Sequence, residues 1–101
     1  MGRLIASAPG VTERPEIEEI GPGSGGDRWI VTVFNNDRNT WQEVIAILMI
    51  ATGCNFNEAY IETWEIDRLG KSVVHHGEED ECVKAANIIA EIGIRVEVSA
   101  E

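Results

Sequence analysis

The sequence predicts an α+β domain of order β-α-α-β-α-β, a three-stranded antiparallel sheet with three helices on one face. Short β-branched or alternating runs of strand length occur at 29–34, 71–76 and 94–98. Apolar residues at helical spacing fill the stretches between these runs, and each such stretch opens on capping or acidic residues and closes on a glycine. A sheet this small must bury one apolar face, and helices laid on that face are the economical layering.

The first strand is WIVTVF, Trp29 to Phe34. The first helix starts at about Thr40, where Thr40 and Glu43 fit a capping box; Asn39 with Gln42 fits the same device one residue earlier. Trp41, Val44, Ile45 and Leu48 recur at i, i+3, i+4 and i+7, and Gly53 supplies the left-handed end. Asn55 caps a second helix, with Glu58 at its third position; that helix runs to Leu69 and closes at Gly70. KSVVHH, 71–76, reads as a strand. Glu78, Glu79, Asp80 and Glu81 crowd the start of a third helix, where carboxylates complement the macrodipole, and that helix extends to Ile92 before Gly93. IRVEV, 94–98, alternates as a half-buried strand.

Residues 1–27 differ from the rest: they hold Pro9, Pro15 and Pro22 and end in GPGSGG. Such a segment buries too little apolar surface to offset its ordering entropy, so a flexible extension is expected, followed by a core domain over 28–101; two readings of it stand, a leader with no role and a tether. A chain of 101 residues has room for one domain. Its formal net charge of −10 argues against nucleic acid and against an anionic membrane surface, and suits basic partners. Cys54 and Cys82 lack the spacing of a metal or redox motif and read as reduced core residues. The apolar run Val44 to Ala51 is too short to cross a bilayer, and the N-terminus is too polar for a signal peptide, so the expected location is the cytoplasm.

Two places carry the chemistry. The loop VFNNDRNT places Asn35, Asn36, Asp37 and Asn39 between strand and helix. Such residues are ordinary turn and cap formers, yet they also make a nest of oxygen acceptors suited to an ammonium group. On a wheel of the second helix, Glu58, Glu62 and Glu65 cluster on the expected solvated face. The opposite arc holds Phe56, Ala59, Tyr60, Thr63, Ile66 and also Asp67, a carboxylate in the apolar stripe and in the last turn, where the macrodipole disfavours it. Two readings of Asp67 stand: a helix end reaching water or pairing with Arg68 or Lys71, or a rim group awaiting an external cation.

From Trp29 onward, the stretches VFNNDRNTWQEVI, ATGCNFNEAYIETWEIDRLGKSVV and GIRVEV resemble ClpS, the bacterial adaptor of the Clp AAA+ protease. The resemblance implies the same β-α-α-β-α-β fold, shared with the C-terminal domain of a ribosomal stalk protein. It implies recognition of N-degrons: the adaptor grips a substrate's free α-amino group, buries its large hydrophobic first side chain, and passes the substrate to a Clp AAA+ unfoldase of the ClpA or ClpC type. By the same resemblance Asn35 and Asp37 match the family's loop residues, Asn36 stands where the family has Asp, and Asp67 replaces its ammonium-binding His. Asn39, Trp41, Val44, Thr63 and Ile66 occupy positions that line or edge the side-chain pocket; Trp41 stands where Met or a smaller residue is common and narrows the pocket. A carboxylate accepts from ammonium as His does, so Asp67 restores the charge that Asn36 removes.

An enzyme is the weakest alternative. His75 and His76 are strand neighbours pointing to opposite faces, no nucleophile or phosphate-loop motif is present, and no cofactor or metal is expected. The serious rival is a protein-interaction module of the same fold with a non-functional N-degron pocket, for which Ala46 and Ile50 on the outer arc of the first helix offer an apolar strip.

Overall fold

The computed structural model describes residues 17–20 and 28–101. In chain order the elements are β1 (Ile17–Ile20), β2 (Trp29–Phe34), α1 (Trp41–Thr52), α2 (Phe56–Leu69), β3 (Lys71–Gly77), α3 (Glu79–Ala90) and β4 (Val96–Ala100). The antiparallel sheet of β2, β3 and β4 and the three helices form the expected β-α-α-β-α-β arrangement. β2 is central, paired with β4 on one side and β3 on the other.

A fourth strand extends this sheet. β1 pairs parallel with β4, Ile17 opposite Val96 and Ile20 opposite Ser99. The sequence reading assigned this stretch to a flexible extension; the remainder of that extension lies outside the described residues. IEEI does not alternate, so periodicity carries no sign of the strand, whose pairing rests on the backbone groups that β4 offers at its edge.

The helices cover the face formed by Val31 and Val33 of β2 and by Val96 and Val98 of β4, all fully buried. Leu48 of α1, Ala59 and Ile66 of α2, and Cys82, Ala86 and Ile89 of α3 complete the core. Both cysteines are free, and burial, with Glu81 nearby, pushes the Cys82 thiol up from its ordinary pKa. β2 and β3 pair with a register shift: Val31 opposes His75 and Thr32 opposes Val73, which leaves Val74 as the extra residue of a bulge. The bulge keeps His75 on the helix-facing side, where its Nε2 lies 3.5 Å from Glu81 Oε2 of α3.

Capping follows the sequence closely. Thr40 Oγ1 accepts the Glu43 N–H at 3.1 Å and Glu43 Oε1 accepts the Thr40 N–H at 3.0 Å, a complete capping box. Asn55 Oδ1 caps α2 through the Glu58 N–H at 2.8 Å. Gly70 ends α2 at φ 94°, a left-handed conformation. α3 stops at Ala90, two residues before the expected end, and turns through Gly93.

Candidate functional site

The loop after β2 meets the end of α2. The Asn35 N–H donates to the Gly70 carbonyl at 2.9 Å, and the Phe34 N–H donates to Arg95 O at 3.0 Å. These bonds set the loop beside the helix end that carries Asp67.

Inside the loop the acceptors divide. Asn36 Oδ1 accepts from the N–H groups of Arg38 (3.2 Å) and Asn39 (3.1 Å), an Asx-type turn. Its Nδ2 donates to Asn39 Oδ1 at 2.9 Å. Asn39 Nδ2 in turn donates to Ile92 O at 2.9 Å and to Glu43 Oε1 at 3.1 Å, which ties the loop to the chain after α3. The Asn39 bond, with the Thr40 N–H, holds the Glu43 carboxyl below its usual pKa. The side chains of Asn36 and Asn39 thus build the loop. Among the described residues, Asn35 and Asp37 have no side-chain hydrogen bond or ion pair, and both are exposed.

Asp67 stands in water rather than in the apolar stripe: its side chain is 45% exposed and lies 3.9 Å from Arg68 Nε. The buried arc of α2 is Ala59, Glu62, Thr63 and Ile66. The misplaced carboxylate is therefore Glu62, which retains 8% exposure, and not Asp67. The wheel missed this because Phe56 and Tyr60 weigh the apolar side by size while standing 54% and 45% exposed. The burying surface instead reaches round toward β3, where Ser72 Oγ donates to Glu65 Oε1 at 2.7 Å. Burial first, then repulsion from Glu58 and Glu65, pushes the Glu62 carboxyl up to about 7.

Of the expected pocket residues, Val44, Thr63 and Ile66 lie in the packed layer between α1 and α2. Thr63 Oγ1 donates to Ala59 O at 2.7 Å, so its hydroxyl is satisfied within the helix. Trp41 is half-buried and meets Tyr60 edge-to-face with ring centroids 5.4 Å apart. Tyr60 also neighbours Phe56 at 6.0 Å. Sequence reading passed over Tyr60 as a partner of Trp41, although the i, i+4 row Phe56–Tyr60–Trp64 was its available signal. Ala46 and Ile50 are exposed on the outer arc of α1. Among the described residues no group of three or more His, Cys, Asp or Glu is placed to hold a metal ion, and no helix is long and apolar enough to cross a membrane.

Comparison with known proteins adds a family. A search of the curated proteins by sequence finds no match. Among solved structures, the chain is similar to Agrobacterium tumefaciens ClpS2 bound to L-phenylalaninamide, with TM-score 0.70 and 17% identity over 76% of this chain and 100% of that one. The model of the family described as ATP-dependent Clp protease adaptor protein ClpS matches residues 25–96. That match spans the strands β2 and β3, all three helices and the loop built by Asn35, Asn36 and Asn39, and on it the chain belongs to the ClpS family of Clp protease adaptors.

Proposed function

We propose that this chain is an N-degron adaptor that binds the free N-terminal residue of a substrate and delivers it to a Clp AAA+ unfoldase of the ClpA or ClpC type, in the cytoplasm. The observation that carries the reading is the Asn35–Gly70 bond, which sets an open acceptor loop against the end of α2 in a member of an adaptor family. Asn35, Asp37 and Asp67 accept from the α-ammonium, whose three donors suit an amide oxygen and two carboxylates. Asn36 acts indirectly, by holding the loop in shape.

The structurally similar ClpS2 is described with L-phenylalaninamide, a small molecule with a free α-amino group and an aromatic side chain. Here the first side chain lies against Trp41, Val44, Thr63 and Ile66, edged by Asn39. Trp41, held against Tyr60, narrows that space, so specificity shifts toward first residues smaller than Phe. The burial of Val44, Thr63 and Ile66 favours a second reading, a ClpS-fold interaction module without peptide-terminus binding. Calorimetric titration with one hydrophobic-start peptide, free and N-acetylated, separates the two: the adaptor requires the free amine, and the interaction module is indifferent to it.

A further inference from the structure

The carboxylate expected in water is the one the fold buries. Among the described residues Glu62 Oε1 has no hydrogen-bond partner, and it is closed to solvent. Buried polar groups are nearly always paired, so an orphaned carboxylate oxygen calls for a partner from outside. Glu62 shares its arc of α2 with Glu58 one turn before and Glu65 one turn after.

The bond from Ser72 to Glu65 shows that this arc faces β3, whereas Trp41 of α1 meets Tyr60 on the other flank. The acidic arc and the candidate peptide site therefore occupy different sides of one helix. Among the described residues β3 pairs with β2 alone and is an outer strand of the sheet, so the acidic flank stands beside a strand edge. Leu69, 66% exposed at the end of α2, gives that region apolar surface.

No cation on the elements packed against α2 answers Glu62. Lys71 of β3 stands over the Phe34 ring, His75 faces Glu81, and His76 is exposed on the strand's other side, paired with Ile30. On α1 the titratable group is Glu43, bonded to Asn39 and Thr40.

We propose that the Glu58–Glu62–Glu65 flank of α2 is a docking surface for a lysine- or arginine-bearing segment of a partner protein, whose cation pairs with the Glu62 carboxylate. Charge complementarity selects this occupant: Glu58 and Glu65 flank Glu62 on one arc of a chain of net charge −10 and repel acidic segments, and only a cation compensates the charge of a buried carboxylate at Glu62. Glu62 is lifted to about 7, so below that pH the free protein carries a proton there that an arriving cation expels. Docking is coupled to proton release.

The probe is an N-acetylated, C-amidated peptide of alternating lysine and threonine, titrated calorimetrically into the full chain; acetylation keeps it out of a site that reads α-ammonium. Affinity should be about tenfold tighter at pH 8 than at pH 6, with release of up to about one proton seen by comparing buffers of different ionisation enthalpy. Glu62→Gln, which imitates the protonated group, should remove both the pH dependence and the proton release. Glu58→Gln at the exposed end of the arc, alone and with Glu65→Gln at its half-buried end, should weaken binding at either pH, a result that does not depend on how the Glu62 variant folds. Asp80→Asn with Glu91→Gln, in the first turn of α3 and at its C-cap rather than on α2, should leave affinity within about twofold, since exposed charges outside the contact are screened by salt. Equal affinity at both pH values, an unaffected Glu62→Gln, or equal loss from the α3 pair would overturn the proposal. None of these results bears on the free-amine test above.

Discussion

The N–H of Asn35 and the carbonyl of Gly70 are joined at 2.9 Å, and this bond couples the shape of the candidate site to the end of α2. Gly70 sits at φ 94° with open space where a Cβ would be, so a side chain there meets strain rather than a clash. Gly70→Ala should cost about 1–2 kcal/mol of stability, the penalty of a left-handed conformation for an L-residue. It should also weaken peptide binding. Thermal unfolding and peptide titration check this; an unchanged midpoint would mean that the loop and helix end relax independently.

The Trp41–Tyr60 pair yields a specificity prediction. Tyr60→Ala removes the ring that holds Trp41, and Trp41→Met removes its bulk. Either variant should improve binding of peptides beginning with Phe, Tyr, Trp or Leu relative to those beginning with smaller residues. A titration series over first residues reads the effect. Unchanged preference in both variants would make the pair a structural contact alone.

Glu62 gives a pH prediction with a definite sign. Its carboxyl is raised from 4.5 to about 7 in the folded chain, so between those values the folded state holds a proton that the unfolded state has lost. The stability contributed by the neutral group is complete below the unfolded value and is lost as pH rises through the folded one. Relative to wild type, Glu62→Gln should therefore gain about 2 kcal/mol at pH 8 and little at pH 4. Denaturant melts at both pH values measure it, and parallel stability curves for the two proteins would contradict the assignment.

These cases show where the sequence was legible. The capping pairs Thr40–Glu43 and Asn55–Glu58 and the closing glycines depend on neighbours in the chain, and the structure forms them as read. The place of the loop between β2 and α1 was legible for the same reason. What each side chain does there was not. Asn36 and Asn39 are committed to Arg38, Glu43 and Ile92, and the bond to Ile92 depends on how the segment after α3 returns. The burial of Glu62 depends on β3 covering one flank of α2, a tertiary fact that no wheel contains.

β1 was hidden for a related reason. Its pairing uses the backbone edge of β4, which exists only once the sheet is assembled. Removing residues through Ile20 should expose that edge and lower the thermal midpoint by several degrees, whereas removing 1–16 should leave it nearly unchanged and weaken substrate delivery. Equal midpoints for the two truncations would show that β1 contributes nothing to the fold's stability.

The central claim is that this loop and helix end hold an α-ammonium. The direct test is titration of a hydrophobic-start peptide, free and N-acetylated, into wild type and Asp67→Ala. Acetylation should remove most binding, and affinity for the free peptide should fall as pH rises through roughly 7.7–8.0, where the α-amino group loses its proton. Asp67→Ala should cost about 1 kcal/mol, the scale of a charge-assisted bond at an exposed site. Equal affinity for the free and acetylated peptides would contradict the claim.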